Sequence, residues 1–92
     1  MDQNPTLVKR KNVHWKEVDG EAVLLHFGSG NYYALDAVGT FLWSRIQQGP
    51  LRMNELVDSL AKEYTISEST AGNDVRDFCH QLEAENLLEL RV

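Results

Sequence analysis

The apolar pattern of this chain changes period once, at Asp36, and that change limits the folds open to it. Before Asp36, apolar side chains alternate through Val23, Leu25 and Phe27 and again at Tyr33 and Leu35, as on β-strands. After it, Val38, Phe41, Leu42 and Ile46 recur at intervals of three and four, as on a helix. The Asp36 carboxylate can accept the free N–H groups of a first helical turn. A strand therefore runs straight into a capped helix, and the chain divides into a β-rich first part and an α-rich remainder.

The β-rich part reads as an antiparallel meander. Val13 to Val18 is rich in strand formers, and Asp19-Gly20 is the dipeptide that a type I′ hairpin needs. In Glu21 to Phe27 both alternating sets, Val23, Leu25, Phe27 and Ala22, Leu24, His26, are largely apolar, which marks the central strand. Gly28-Ser29-Gly30-Asn31 is a second turn, and Asn31 to Leu35 is the third strand, with Tyr33 and Leu35 facing the core and Tyr32 and Ala34 facing outward. Residues 1–12, with Pro5, the basic triplet Lys9-Arg10-Lys11 and only Leu7 and Val8 to bury, read as a loose arm that picks up at most a short pairing near its end. Residues 13–92 form the single domain.

Three helices follow. The first runs from about Ala37 to Gln48, burying Val38, Phe41, Leu42 and Ile46 with Trp43 on its flank, and Gly49-Pro50 ends it. The second, Met53 to Tyr64, places Leu56, Val57, Leu60 and Tyr64 on one stripe. The third starts near Ser67 and runs to about Glu85 with Ala71, Val75, Phe78, Leu82 and, in part, Cys79 on its apolar side. Asn86 is a left-handed stop before a short extended tail, Leu87 to Leu90. The expected fold class is α+β, winged-helix-like: a three-stranded antiparallel meander, three helices and that tail.

Composition narrows the function. Nine Lys and Arg against 14 Asp and Glu give a net charge of −5, a field that repels polyanions. Three strands with three helices invite a DNA-binding reading, but the third helix carries Glu68, Asp74, Asp77, Glu83 and Glu85 against Arg76 alone. Phosphate contacts supply most DNA affinity, so nucleic acid is not expected as a ligand. No apolar run reaches the ~20 residues of a bilayer span, and the N-terminus lacks signal-peptide order, so no membrane partner and a cytoplasmic location are expected. A single cysteine excludes an internal disulfide.

No catalytic constellation emerges. His14, His26 and His80 are scattered, no ligand spacing for a metal exists, and Cys79 on a buried helix flank is a small hydrophobe. Gly28-Ser29-Gly30 joins two antiparallel strands and is not a phosphate loop. Asp74 and Asp77 suit a solvated helix face better than an acid–base pair. The chain is expected to be no enzyme and to need no cofactor or metal. What stands out is the third strand, an edge that bears no charge, proline or bulge over Tyr32-Tyr33-Ala34-Leu35.

Gly30, Tyr32-Tyr33-Ala34-Leu35-Asp36, Gly39, Trp43, Glu55-Leu56, Leu60, Asp74-Val75, Phe78, Leu82 and Asn86-Leu87-Leu88 stand in an order that resembles the PqqD-like family over about Val13 to Leu90. These are small proteins of pyrroloquinoline quinone biosynthesis and the related recognition elements of ribosomally made peptide pathways. Asn86 stands where the family often has glycine, a change that a left-handed position tolerates. The resemblance implies a domain that binds no DNA and captures the leader segment of a precursor peptide as an extra strand on Asn31, Tyr32, Tyr33, Ala34 and Leu35. It further implies an apolar floor of Tyr32, Ala34, Val75, Phe78, Cys79 and Leu82, and a polar rim of Asp74, Asp77 and Gln81. The partner enzyme implied is a radical SAM maturase or, in lasso-peptide relatives, a leader peptidase. A monomer or weak homodimer fits this role. A different class of reading uses the same edge for structural or regulatory pairing, including dimerisation.

Overall fold

The computed structural model of the protein describes residues 4–92. The elements are β1 (Thr6–Lys9), β2 (Val13–Val18), β3 (Glu21–His26), β4 (Tyr32–Ala34), α1 (Ala37–Gln47), β5 (Leu51–Arg52), α2 (Met53–Tyr64), α3 (Glu68–Ala84) and β6 (Leu88–Arg91). The strands form two antiparallel sheets, in the orders β2-β3-β4 and β5-β1-β6.

The first sheet is the expected meander. Asp19 and Gly20 both take positive φ, 53° and 83°, as the tight β2–β3 turn requires. The register sets Leu24 against Trp15 on one side and against Tyr33 on the other. Ala22, Leu24 and His26 are buried and form the face that meets the helices. His26 is tolerated there because its Nδ1 accepts the Ser29 N–H at 3.0 Å, which also pins the β3–β4 turn.

The second sheet corrects the expectation of a loose arm. β1 lies between two partners, pairing Leu7 with Leu51 of β5 and with Leu90 of β6. Leu7 is fully buried in the core. Ahead of the strand, Asn4 Oδ1 accepts from Asn54 N at 2.8 Å and Pro5 O accepts from Met53 N at 2.9 Å, so this segment caps the start of α2. The reason the pairing escapes sequence reading is distance: Thr6 pairs with Arg91, and nothing in a four-residue run signals so remote a partner. The part of the arm at Met1 to Gln3 lies outside the described residues. The tail expected at Leu87 to Leu90 is in register with β1 from Leu88 to Arg91.

Asp36 caps α1, its Oδ1 accepting from Gly39 N at 2.8 Å. One turn on, Thr40 Oγ1 accepts the Ala22 N–H at 2.8 Å, so α1 completes the bonding of β3 where β4 has ended. Trp43, expected on the flank, is instead 1% exposed and meets Trp15 edge-on at 6.3 Å. Its Nε1 has no hydrogen-bond partner among the described residues. Tyr64, expected on the buried stripe of α2, is exposed at the end of that helix and packs edge-on against Phe41.

The core joins Leu7, Ala22, Leu24, Leu42, Trp43, Ile46, Leu56, Leu60, Val75, Cys79 and Leu88 into one cluster. α2 packs on α3, and α1 lies across β1 and β3. The consequence is that α3 is held beside β4, with the C-terminal half of the helix facing the strand.

Candidate functional site

β4 is an edge, and its backbone pattern can be read from two bonds. His26 N donates to Asn31 O at 3.0 Å, and Leu35 N donates to Ala22 O at 2.9 Å. In an antiparallel ladder the inward groups belong to alternate residues, so Asn31, Tyr33 and Leu35 turn toward β3. Tyr32 and Ala34 therefore turn their N–H and C=O groups outward. The strand carries no lysine, proline or bulge to block a further strand.

Beside this edge is a cleft of about 560 Å³ between β4 and the end of α3, lined by Tyr32, Tyr33, Ala34, Leu35, Gln81, Leu82, Ala84, Glu85 and Leu87. The structure brings six of the sequence-derived site residues together here. Leu82, 6% exposed, lies at its base. Tyr32 is 72% exposed and stands on the outer face of the sheet. Tyr33 and Leu35 are half-buried on the helix side, as the alternation requires.

Tyr33 ties the two walls together. Its hydroxyl donates to Glu85 Oε1 at 2.8 Å, and Asn31 Nδ2 donates to the same hydroxyl at 3.5 Å. The Glu85 carboxylate holds the phenol above its usual range, because the bond is lost if the proton leaves. One end of the cleft is thus polar and acidic, and its interior is apolar.

Glu85, Ala84 and Leu87 were not among the site residues expected from the sequence. Leu87 is placed by the way α3 ends. Asn86 takes φ 60°, Asn86 N donates to Glu83 O at 3.0 Å, and Leu87 N donates to Leu82 O at 2.9 Å. This is a Schellman ending, which brings the residue after the left-handed position against the third residue before the cap. Reading Asn86 as a left-handed stop contained the Leu82–Leu87 contact as a corollary. Glu85 lies one turn beyond Gln81 on the same side of α3.

Not every expected residue reaches the cleft. Val75 and Cys79 are fully buried and face the core, so they support the floor from behind and cannot touch a guest. Burial raises the Cys79 thiol to about 12, with the nearby Glu83 charge adding to the effect. Phe78 is half-buried at the junction of β4, α1 and α3. A Cβ on Gly39 would lie 3.3 Å from Phe78 Cε1 and from Leu35 Cβ, so glycine is what lets the three elements close there. Asp74 and Asp77 are exposed on α3 and do not line the cleft, although with Gln81 they continue one side of the helix toward its N-terminus. Asn31 borders the site through Tyr33.

Among the described residues, no group of three His, Cys, Asp or Glu is placed to hold a metal ion. None of their helices is long and apolar enough to cross a membrane.

Comparison with known proteins bears on the same region. The family model for coenzyme PQQ synthesis protein D (PqqD) matches residues 21–88, from the start of β3 into β6. The chain belongs to the PqqD family. A solved structure of TbiB1 in complex with the TbiA(beta) leader peptide is 39% identical to this PqqD-family chain, with a TM-score of 0.84, covering 89% of this chain and 94% of that one. A structure of lasso peptide synthetase B1 complexed with the leader peptide has a TM-score of 0.80 at 20% identity, covering 90% and 96%. At that identity it bears on the fold alone. No curated protein sequence matches the chain significantly. The PqqD match includes β4, α3 and the Schellman ending, the three parts that build the cleft.

Proposed function

We propose that this PqqD-family protein captures the leader segment of a ribosomally synthesised precursor peptide and does no chemistry on it. The leader adds as a strand to β4, where the backbone groups of Tyr32 and Ala34 receive it. Alternate leader side chains then enter the cleft over Leu82 and Leu87, and the intervening ones lie beside Tyr32. Glu85, with Asp74 and Asp77 further along α3, offers a rim suited to basic leader residues. The observation that carries the proposal is the open edge of β4 beside an apolar cleft, in a chain 39% identical to a protein solved with a leader peptide.

The domain presents the held leader to a separate enzyme. That enzyme is of one of the two kinds expected from the sequence, a radical SAM maturase or a leader peptidase. A small interface that must also order the leader gives an affinity between micromolar and high nanomolar.

Titration of a synthetic leader peptide, taken from the precursor encoded beside this gene, into the labelled protein tests the reading. Amide shifts are expected over Asn31 to Leu35 and over Gln81 to Leu87. No shift at about 100 μM peptide, well above the expected dissociation constant, overturns it.

A further inference from the structure

The same sheet has a second edge, β2, on the side away from β4. Its residues after Val13 are all exposed. Asn12 O accepts from Phe27 N at 2.9 Å, so Asn12, His14, Lys16 and Val18 turn their backbone groups toward β3. Val13, Trp15 and Glu17 turn theirs outward, and no hydrogen bond to those groups forms among the described residues. This edge is longer than that of β4 by one outward residue.

Val13, Trp15 and Glu17 share one face of β2, and the turns at its two ends carry Lys11 before it and Asp19 after it, so the edge is basic at one end, aromatic in the middle and acidic at the other. Read in reverse, its two charged ends are complementary. In an antiparallel pairing centred on Trp15, Val13 faces Glu17 of a second copy, Trp15 faces Trp15, and the turn that carries Lys11 comes beside the turn that carries Asp19. The turn that carries Lys11 also comes near Glu17 of that copy. Only His14 and Lys16 set two basic types opposite each other. Trp15 is prepared for such a contact: one side rests on Trp43 while 37% of its surface stays exposed.

We propose that β2 is a self-association edge through which two copies pair antiparallel. The product is one six-stranded sheet in the order β4-β3-β2-β2-β3-β4. Its two β4 edges stand at the rims, five strand spacings or roughly 24 Å apart, and both stay open. One strand pair buries less than the ~1,200 Å² at which stable interfaces begin, so the dimer is weak and depends on concentration.

Sedimentation velocity on the full chain from about 1 to 500 μM, together with amide shifts over the same range, tests this. A dimer is expected at the upper end, with concentration-dependent shifts centred on Val13 to Glu17. Glu17→Pro removes an outward N–H and no bond to β3, and Lys11→Glu turns the end pairs repulsive on an exposed side chain. Each is expected to raise the dimer dissociation constant at least about tenfold, while Ala34→Pro on the other edge leaves it unchanged. The proposal fails if the protein stays monomeric throughout, or if the dimer ignores both β2 variants. It also fails if the leader peptide shifts Val13 to Glu17 at monomer mass, which would give this edge to a peptide.

Discussion

Thr40 shows how one hydroxyl can join a helix to a sheet. Its Oγ1 takes the Ala22 N–H that β4 is too short to reach, in a buried setting. Thr40→Val keeps the shape and leaves that N–H unpaired, and the expected loss is about 1–3 kcal/mol in urea unfolding. Thr40→Ser should recover most of it. Cys79 makes the opposite case, a reactive type made inert by its place. With its thiol raised to about 12 by burial, the native protein should not be modified by a thiol reagent at pH 8, and labelling should appear only at the rate of unfolding. The same shift sets a pH dependence: the folded thiol holds its proton above the unfolded value of ~8.5, so its contribution is complete below that pH and is lost as pH rises toward 12. At this scale the sequence is most legible where chemistry is local. The Asp36 cap, the Asp19-Gly20 turn and the left-handed Asn86 follow from residue type and position. Which of Val75, Phe78, Cys79 and Leu82 faces a guest does not, because all four fall on one broad apolar arc whose two sides meet different surroundings.

Among elements, β4 and β1 differ in what proline or alanine should do. The outward Ala34 N–H bonds to nothing in β3, so Ala34→Pro should leave the meander folded and remove a donor from the edge. Under the proposed function, leader affinity falls at least about tenfold while far-UV circular dichroism is unchanged; unchanged affinity would mean the leader uses another edge. β1 is structural. Leu7→Ala opens a hole at the centre of the β5-β1-β6 sheet and should cost about 2–5 kcal/mol, read as a shift of the urea midpoint. Leu7 was visible in the sequence as one of two apolar residues in a basic, proline-containing stretch, too little to signal a strand. Its burial depends on β5 and β6, which are supplied by distant segments. The β2-β3-β4 meander was legible because each of its strands pairs with the next across a turn with a recognisable signature.

For the molecule as a whole, charge sorts the candidate ligands and topology decides where they bind. The net charge of −5 and the exposed Asp74 and Asp77 on α3 leave that helix unsuited to a phosphate backbone, although the arrangement of strands and helices invites a DNA-binding reading. The β4 side of the cleft was legible from the unprotected edge. Its far wall was less so, since the positions of Glu85 and Leu87 depend on how α3 terminates and not on its repeating pattern. The proposed β2 pairing would leave the two leader-binding edges open at once, so a dimer could hold two peptides on one continuous sheet.

The pairing of Thr6 with Arg91 closes residues 6–91 into a ring. During synthesis β1 emerges long before β6, so until β6 has been made Leu7 lacks one of its two neighbours and the ring-closing entropy is unmet. The meander faces no such delay, and it should gain protection from hydrogen exchange before β1 when the purified protein refolds.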